Sequence, residues 1–154
     1  MSDDWHMLAQ EERLFCEVLE RICAERIAPK AAETDETSRF VHEQLAILGE
    51  AGMMGANLPE AYGGSEISAP ALLRAVAIVA GACGSTASAL TAHYLATDSI
   101  LIGGAEAQKE HWLPRAASGE ALGAFALTEP TAGSDPADMK TRARRTEAGW
   151  HVKG

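Results

Sequence analysis

The chain has 154 residues, 47% of them hydrophobic and 23% charged, which is the balance of a soluble globular protein and excludes a disordered or collagen-like one. Its length allows one ordinary domain with a core and the opening of a second. The 22 acidic and 13 basic residues give a formal charge of −9, which disfavours nucleic acid as a partner. A small anionic ligand is still allowed, because it needs only a local basic patch.

The cysteines and histidines indicate neither disulfides nor a metal site. Cys16, Cys23 and Cys83 cannot form a closed disulfide set and have no metal-binding spacing, and the five histidines lack such a spacing too. Two helical turns separate Cys16 from Cys23, so both are predicted to be small apolar residues on one helix face. The first ten residues contain no apolar stretch, so we expect no signal peptide and a reducing, cytoplasmic location.

Apolar residues recur at three- and four-residue steps from residue 7 to about residue 27, which is the period of one helical face. They are Leu8, Phe15, Val18, Leu19, Ile22 and Ile27. Pro29 is expected to end this helix, and residues 33–39 to form a polar connector. Phe40, Leu45 and Leu48 mark a second helix, which stops within the glycine-rich residues 49–55 and precedes a loop at residues 58–65.

Three more helices are predicted before residue 120. One covers residues 72–82 with Pro70 in its first turn, and the next is capped by Ser85 and runs to residue 102. Residues 75–97 carry no charge, but glycines and polar residues interrupt them, so we expect no transmembrane segment. The last helix begins near residue 105, is broken or kinked by Pro114, and ends at Ser118 and Gly119.

The pattern changes after residue 120. Residues 121–127 are a continuous apolar run of strand length, and the turn-rich residues 128–135 follow. Residues 140–145 and 150–153 read as a hairpin around residues 147–149. We therefore predict a mainly α fold, with a helical domain at residues 1–120 and the start of a β-domain at residues 121–154. A hairpin alone is barely stable, so the rest of its sheet is expected to be missing or supplied elsewhere.

Four segments carry a resemblance to a known family. They read R-I-A-P-K-A-A-E-T-D at residues 26–35, L-G-E-A-G-M-M-G-A-N-L-P-E-A-Y-G-G at residues 48–64, A-E-A-Q-K-E-H-W-L-P at residues 105–114 and F-A-L-T-E-P-T-A-G-S-D at residues 125–135. Across essentially its whole length the chain resembles the acyl-CoA dehydrogenases, and the last segment is the most specific. The resemblance implies an N-terminal helical bundle followed by the first strands of a β-barrel-like domain.

The resemblance also implies a flavoenzyme that uses FAD. In such enzymes a carboxylate removes the α-proton of an acyl-CoA thioester while the β-hydrogen leaves as hydride to flavin N5. Electron-transfer flavoprotein is the implied acceptor, and the complete protein is expected to be a homo-oligomer. The family's base is a glutamate in a C-terminal helical domain that no residue here matches, so we assign no catalytic residue and expect this chain alone to be inactive. Glu129, inside the turn, is not assigned as the base.

The cofactor residues follow from the position of the motif. The resemblance implies that Phe125 and Leu127 lie along the isoalloxazine ring, and that Thr128 offers its hydroxyl and N–H to the N5 and pyrimidine side. It implies that Ser134 hydrogen-bonds the CoA portion of the substrate. From the residues alone, the alternative is an ordinary connection in which Thr128 and Ser134 satisfy local backbone groups.

The substrate residues are implied on the fourth helix, where the family lines its acyl pocket. They are Leu90, Thr91, Tyr94 and Leu95, and the alternative for them is ordinary helical core. His93 on the same helix is interpreted as a hydrogen-bonded core residue rather than a base.

Lys140, Arg142 and Arg144 share one face of a predicted strand, which favours either a solvated surface or a site for phosphate oxygens of CoA or FAD.

Two other functions stay open for the chain as a whole. One is a non-catalytic helical interaction module derived from the family. The other is a related acyl-CoA oxidase or flavin monooxygenase.

Overall fold

A computed structural model describes residues 7–154. They form two compact units, the first ending at Ala124 and the second comprising Phe125–Gly154. The first unit is helical and the second contains a small sheet. The expected absence of a signal peptide concerns the first ten residues, of which residues 1–6 lie outside the described part.

The first unit confirms the mainly α prediction. Within the described residues its α-helices are α1 (Gln10–Ile22), α2 (Ala31–Thr37), α3 (His42–Glu50), α4 (Ala69–Ala82), α5 (Gly84–Gly103) and α6 (Glu106–Ala117). Their shared core includes Leu19, Leu48, Val79 and Leu90, each with no more than 1% of its surface exposed. No helix in the described part of the chain is long and apolar enough to span a membrane.

The helical path at the start of the unit continues past Pro29. A π-helical turn at Cys23–Ile27 and a 3-10 turn at Ala28–Lys30 connect α1 to α2. Proline is tolerated early in a helical segment, because the first N–H groups have no intrahelical acceptor to reach. The segment that begins with α1 ends at Ile27, close to the predicted end, and Pro29 lies in the first turn of the 3-10 segment that follows, so the helix type changes at the proline while the chain stays helical. The predicted polar connector is wrong over most of its length, because α2 continues to Thr37 and is followed by Ser38, whose φ is 53°.

The helix faces were partly predictable. Cys16 and Cys23 are buried and free, which confirms them as small apolar residues of the helix core. Val18 is 44% exposed although it fits the apolar period, because it lies about 100° around the helix axis from the fully packed Leu19. Phe40 precedes α3 and is 54% exposed, so it is not part of the helix that it was expected to mark.

The ends of α4 to α6 differ in detail from the prediction. The Ser68 hydroxyl accepts a hydrogen bond from Ala71 N–H at the start of α4. Ser85 does not cap α5, which begins at Gly84. Pro114 does not break α6, which continues to Ala117, and the buried Leu113 and Ala117 pack in one cluster.

The second unit contains the predicted hairpin. Strands β1 (Arg142–Thr146) and β2 (Gly149–Lys153) pair antiparallel across a two-residue turn. The predicted strand at residues 121–127 is wrong. No strand of the described chain pairs with it, and an unpaired strand would leave its backbone groups without partners.

Candidate functional site

A tight turn follows Thr128. Glu129 N–H donates to Ala132 O at 2.8 Å, and Ala132 N–H donates back to Glu129 O at 3.2 Å. Pro130 occupies the second position of this four-residue turn, where its fixed φ favours the geometry. The chain therefore reverses direction immediately after the residue that the motif assigns to the flavin.

The Glu129 carboxylate fastens this turn to the start of β1. Its Oε2 accepts from Lys140 N–H at 2.7 Å, and its Oε1 accepts from Thr141 N–H at 3.0 Å. The Thr141 hydroxyl, followed by these two N–H groups, holds the pKa of the carboxyl below its ordinary value. A carboxylate engaged in this way is a poor proton acceptor, which agrees with leaving Glu129 out of the catalytic assignment.

Two further bonds order the loop between the turn and β1. The Asp135 carboxylate accepts from Ala137 N–H at 3.0 Å and caps a 3-10 turn at Pro136–Asp138. The Thr131 hydroxyl donates to Asp138 O at 3.3 Å. The loop is thus held by its own polar groups, whereas the residues just before it are not.

The four predicted cofactor residues lie in this second unit with open side chains. Phe125 is 43% exposed and Leu127 is 38% exposed, and Thr128 and Ser134 are exposed as well. Within the described residues, neither Thr128 nor Ser134 forms a hydrogen bond through its side chain or backbone. Accessible apolar surface beside free N–H and O–H groups fits a flavin, whose ring is apolar on its faces and polar at one edge.

The predicted acyl-pocket residues belong to the first unit and differ in environment. Leu90 is fully buried, and the buried Tyr94 donates its hydroxyl to Met53 O. Burial raises the pKa of Tyr94. Both are helical core, as the alternative interpretation has it. Thr91 is half-buried and donates to Ser88 O at 3.0 Å, and Leu95 is 53% exposed, so these two members of the set keep accessible surface.

His93 is a core residue, as interpreted. Its Nε2 lies 3.1 Å from Met54 O, and its Nδ1 accepts from Gly123 N–H at 3.0 Å. These partners select the neutral tautomer with the proton on Nε2. Burial lowers the pKa of His93, so the ring is a structural connector between α5, the residues after α3 and residue 123.

The sequence analysis did not predict one polar contact, which is made by Asn57. Asn57 Nδ2 donates to Thr97 Oγ1 at 3.1 Å and to Asp98 Oδ1 at 2.7 Å, which ties the loop after α3 to α5. The partners are 40 residues or more apart in sequence, and no local pattern signals such a pair. Among the described residues, no group of His, Cys, Asp or Glu is arranged to hold a metal ion.

The basic residues near β1 have separate environments. Lys140 forms an ion pair with Asp138. Arg142 and Arg144 lie on β1 with exposed side chains and have no ion pair in the described part of the chain.

Comparisons with known proteins agree with the resemblance. Residues 9–120 match the family described as "Acyl-CoA dehydrogenase, N-terminal domain". A probable acyl-CoA dehydrogenase of Bacillus subtilis is 39% identical over 137 residues, which cover 88% of this chain and 36% of that protein. The mitochondrial isovaleryl-CoA dehydrogenase of Pongo abelii is 35% identical over 94% of this chain and 35% of its own length.

Solved structures give the same result. A glutaryl-CoA dehydrogenase from Mycobacterium smegmatis in complex with FADH2 superimposes with a TM-score of 0.90 at 33% identity, covering 99% of this chain and 39% of that one. Butyryl-CoA dehydrogenase from Megasphaera elsdenii gives a TM-score of 0.87 at 30% identity, over 100% of this chain and 41% of that one. The chain therefore spans well under half the length of these relatives. It belongs to the acyl-CoA dehydrogenase family.

Proposed function

We propose that this chain supplies the helical N-terminal domain and the flavin-binding turn of an FAD-dependent acyl-CoA dehydrogenase. The observation that carries the proposal is the segment before the turn. Phe125 and Leu127 offer accessible apolar surface, and Thr128 has a free hydroxyl and a free backbone N–H. Bound FAD would accept the β-hydrogen of the acyl thioester as a hydride.

The residues of this chain would bind and position, and would not transfer the proton. Thr128 would hydrogen-bond the flavin edge, Phe125 and Leu127 would cover its ring, and Ser134 would bind the CoA portion. Glu129 keeps the turn in place through Lys140 and Thr141. Thr91 is the proposed contact to the acyl chain, because Leu90 and Tyr94 are committed to the core.

The partners of the complete protein belong to the same proposal. We infer that the substrate is an acyl-CoA thioester, that electron-transfer flavoprotein is the acceptor, and that the complete protein is a homo-oligomer. A structure of an electron transferring flavoprotein of Acidaminococcus fermentans is among the structural neighbours, with a TM-score of 0.89 and 28% identity. The three buried, free cysteines suit the reducing cytoplasm.

The test is whether the chain holds flavin through Thr128. The purified chain is mixed with excess FAD, freed of unbound cofactor by gel filtration, and examined for a visible flavin band. We expect the wild type to retain FAD and Thr128→Val to bind it about tenfold or more weakly, the usual scale for one lost hydrogen bond to a ligand.

The control is Thr146→Val, the same chemical change at the end of β1, where the hydroxyl donates to Gly149 O. This variant is expected to bind FAD as the wild type does. A colourless, folded wild-type chain would contradict the proposed cofactor site, and equal losses in both threonine variants would contradict the role of Thr128.

A further inference from the structure

Charge is strongly segregated along this chain. Residues 140–154 contain five of the 13 lysine and arginine residues but one of the 22 acidic residues. The end of an acidic chain is therefore basic, and most of that basic segment is the hairpin. A local reversal of charge of this size favours an anionic ligand.

The strand register places most of these charges on one face. Arg142 lies opposite Lys153 and Arg144 lies opposite His151, and the two pairs are two residues apart along the strands. Side chains two apart on a strand share a face, so these four form a patch about 5 Å across and about 7 Å long at the backbone. We call this patch the cationic face.

The opposite face of the hairpin has a different character. It carries Ala143 opposite Val152, and Arg145 opposite Trp150. Arg145 is thus a single cation on a mainly apolar face, next in sequence to Arg144 but pointing the other way. It provides a matched control, because removing either arginine changes the net charge of the chain by the same amount.

The cationic face has no compensating charge among the described residues. Like charges directly opposite each other destabilise a strand pair, and Arg142 faces Lys153 in this way. Within the described residues, none of the four side chains of the face has an ion pair or a hydrogen bond. A bound anion with several charges would neutralise the face and convert the repulsion into attraction.

We propose that the cationic face binds the phosphate groups of coenzyme A, its 3′-phosphate and its diphosphate. The inference rests on the proposed function, which supplies an acyl-CoA as substrate. These groups carry about four negative charges near neutral pH and match three permanent cations and a histidine. Arginine suits them because its planar guanidinium holds two phosphate oxygens at once. FAD has a diphosphate without a phosphomonoester, so it matches the face less well.

Titration of the 154-residue chain by calorimetry, at low ionic strength, tests the ligand. We expect coenzyme A to bind more tightly than dephospho-coenzyme A, FAD to compete weakly, and added salt to weaken binding. In NMR spectra, coenzyme A should shift the amides of Arg142, Arg144, His151 and Lys153. Shifts confined to residues outside the hairpin would overturn the proposal.

The variants test the face. Arg142→Gln and Arg144→Gln should each weaken coenzyme A binding by about tenfold, whereas Arg145→Gln should bind as the wild type does. Cross-strand NMR contacts between β1 and β2 check that each hairpin still forms. An equal loss of coenzyme A affinity in Arg145→Gln would mean that overall charge explains the effect, and this would contradict the proposal.

The complete dehydrogenase separates this proposal from the proposed function. An active enzyme in which Arg144→Gln raises KM for the acyl-CoA, with kcat unchanged, supports both. If KM is unchanged, the enzyme assignment holds and the cationic face does not bind its substrate. If no acyl-CoA is oxidised although the 154-residue chain binds coenzyme A through Arg142 and Arg144, the proposed function fails and the binding face remains.

Discussion

At the scale of single residues, His93 links burial, tautomer and stability. Its ring is fully buried, with one nitrogen bonded to Met54 O and the other to Gly123 N–H. Because burial lowers its pKa, the unfolded chain takes up a proton at a higher pH than the folded chain does. Stability from this group is therefore complete above the unfolded pKa of about 6.5 and declines as the pH falls below it.

We predict that His93→Ala lowers the free energy of unfolding by about 2–4 kcal/mol at about pH 8, since it leaves a cavity and two backbone groups without partners. Urea unfolding at about pH 8 and about pH 5.5 should also show a smaller loss on acidification in the variant than in the wild type. His42→Gln, at an exposed position, is the control and should keep the wild-type pH dependence. An unchanged pH dependence in His93→Ala would refute the assignment.

Glu129 acts at the same scale in the second unit. Its pKa is lowered by the Thr141 hydroxyl and by the N–H groups of Lys140 and Thr141, so its contribution is present above the ordinary carboxyl pKa of about 4.3. It is lost as the pH falls through the lowered value of the folded state.

The prediction is that Glu129→Gln accelerates hydrogen exchange of the Lys140 and Thr141 amides severalfold at neutral pH, because a neutral amide accepts more weakly than a carboxylate. Glu147→Gln, in the hairpin turn, serves as the control. NMR measures the exchange rates of these amides in both variants. Equal protection of the two amides in Glu129→Gln and the wild type would contradict the hydrogen bonds that they donate to the Glu129 carboxylate. Retention of FAD by the same variant would show how far the cofactor site depends on this contact.

At the scale of elements, the sequence predicted structure that has a local signal and failed where the structure depends on long-range packing. The period of apolar residues predicted α1 and α3, whereas proline, serine and glycine signals at the helix ends predicted α4, α5 and α6. Residues 23–27 were predicted to be helical, although not as a π-helical turn. α2 was missed, since a polar segment after a proline gives no such period. The strand at residues 121–127 failed for the opposite reason: its apolar run was visible, but pairing depends on residues far away in sequence.

The candidate site was likewise predictable only in part. The motif predicted Phe125, Leu127 and Thr128 as flavin contacts and Ser134 as a contact to the CoA portion, and their exposed side chains are compatible with these roles. The partners of Glu129 were not foreseeable, because they lie 11 and 12 residues away across an irregular loop. Contacts of this kind follow from the path of the backbone, which residue type alone does not specify.

The turn at residues 62–64 gives a prediction at this scale. Gly63 has a φ of 78°, and a Cβ added to Gly64 would meet Leu58 O at 2.0 Å. Gly64→Ala should therefore destabilise the first unit by more than about 2 kcal/mol, because the obstructing atom is backbone and cannot rotate away. Gly81→Ala, inside α4 with open space around it, should stabilise by about 0.5–1 kcal/mol. Thermal unfolding of the two alanine variants checks both signs, and a stable Gly64→Ala would mean that the loop is less constrained than its contacts indicate.

At the scale of the whole molecule, binding and catalysis separate. The described residues include candidate contacts for flavin and for phosphates, and the carboxylate inside the turn is engaged with backbone N–H groups. The family resemblance places the general base in a helical domain that this chain does not match. Loss of a general base alone slows a reaction by about 10²-fold to 10⁴-fold, and incomplete exclusion of water adds to the loss.

We therefore predict that the 154-residue chain, loaded with FAD, does not oxidise any acyl-CoA. The measurement is anaerobic mixing with short-, medium- and long-chain acyl-CoA thioesters while the visible flavin band is followed. The band should persist, because the family resemblance places the base that removes the α-proton in a domain that this chain does not match. A chemical reductant should bleach the band and prove that the bound flavin is redox-active. Bleaching by any acyl-CoA would mean that a carboxylate of this chain acts as the base. Glu129→Gln would then be the first variant to test. If Glu129 only holds the turn in place, the variant should still bleach the flavin at a similar rate.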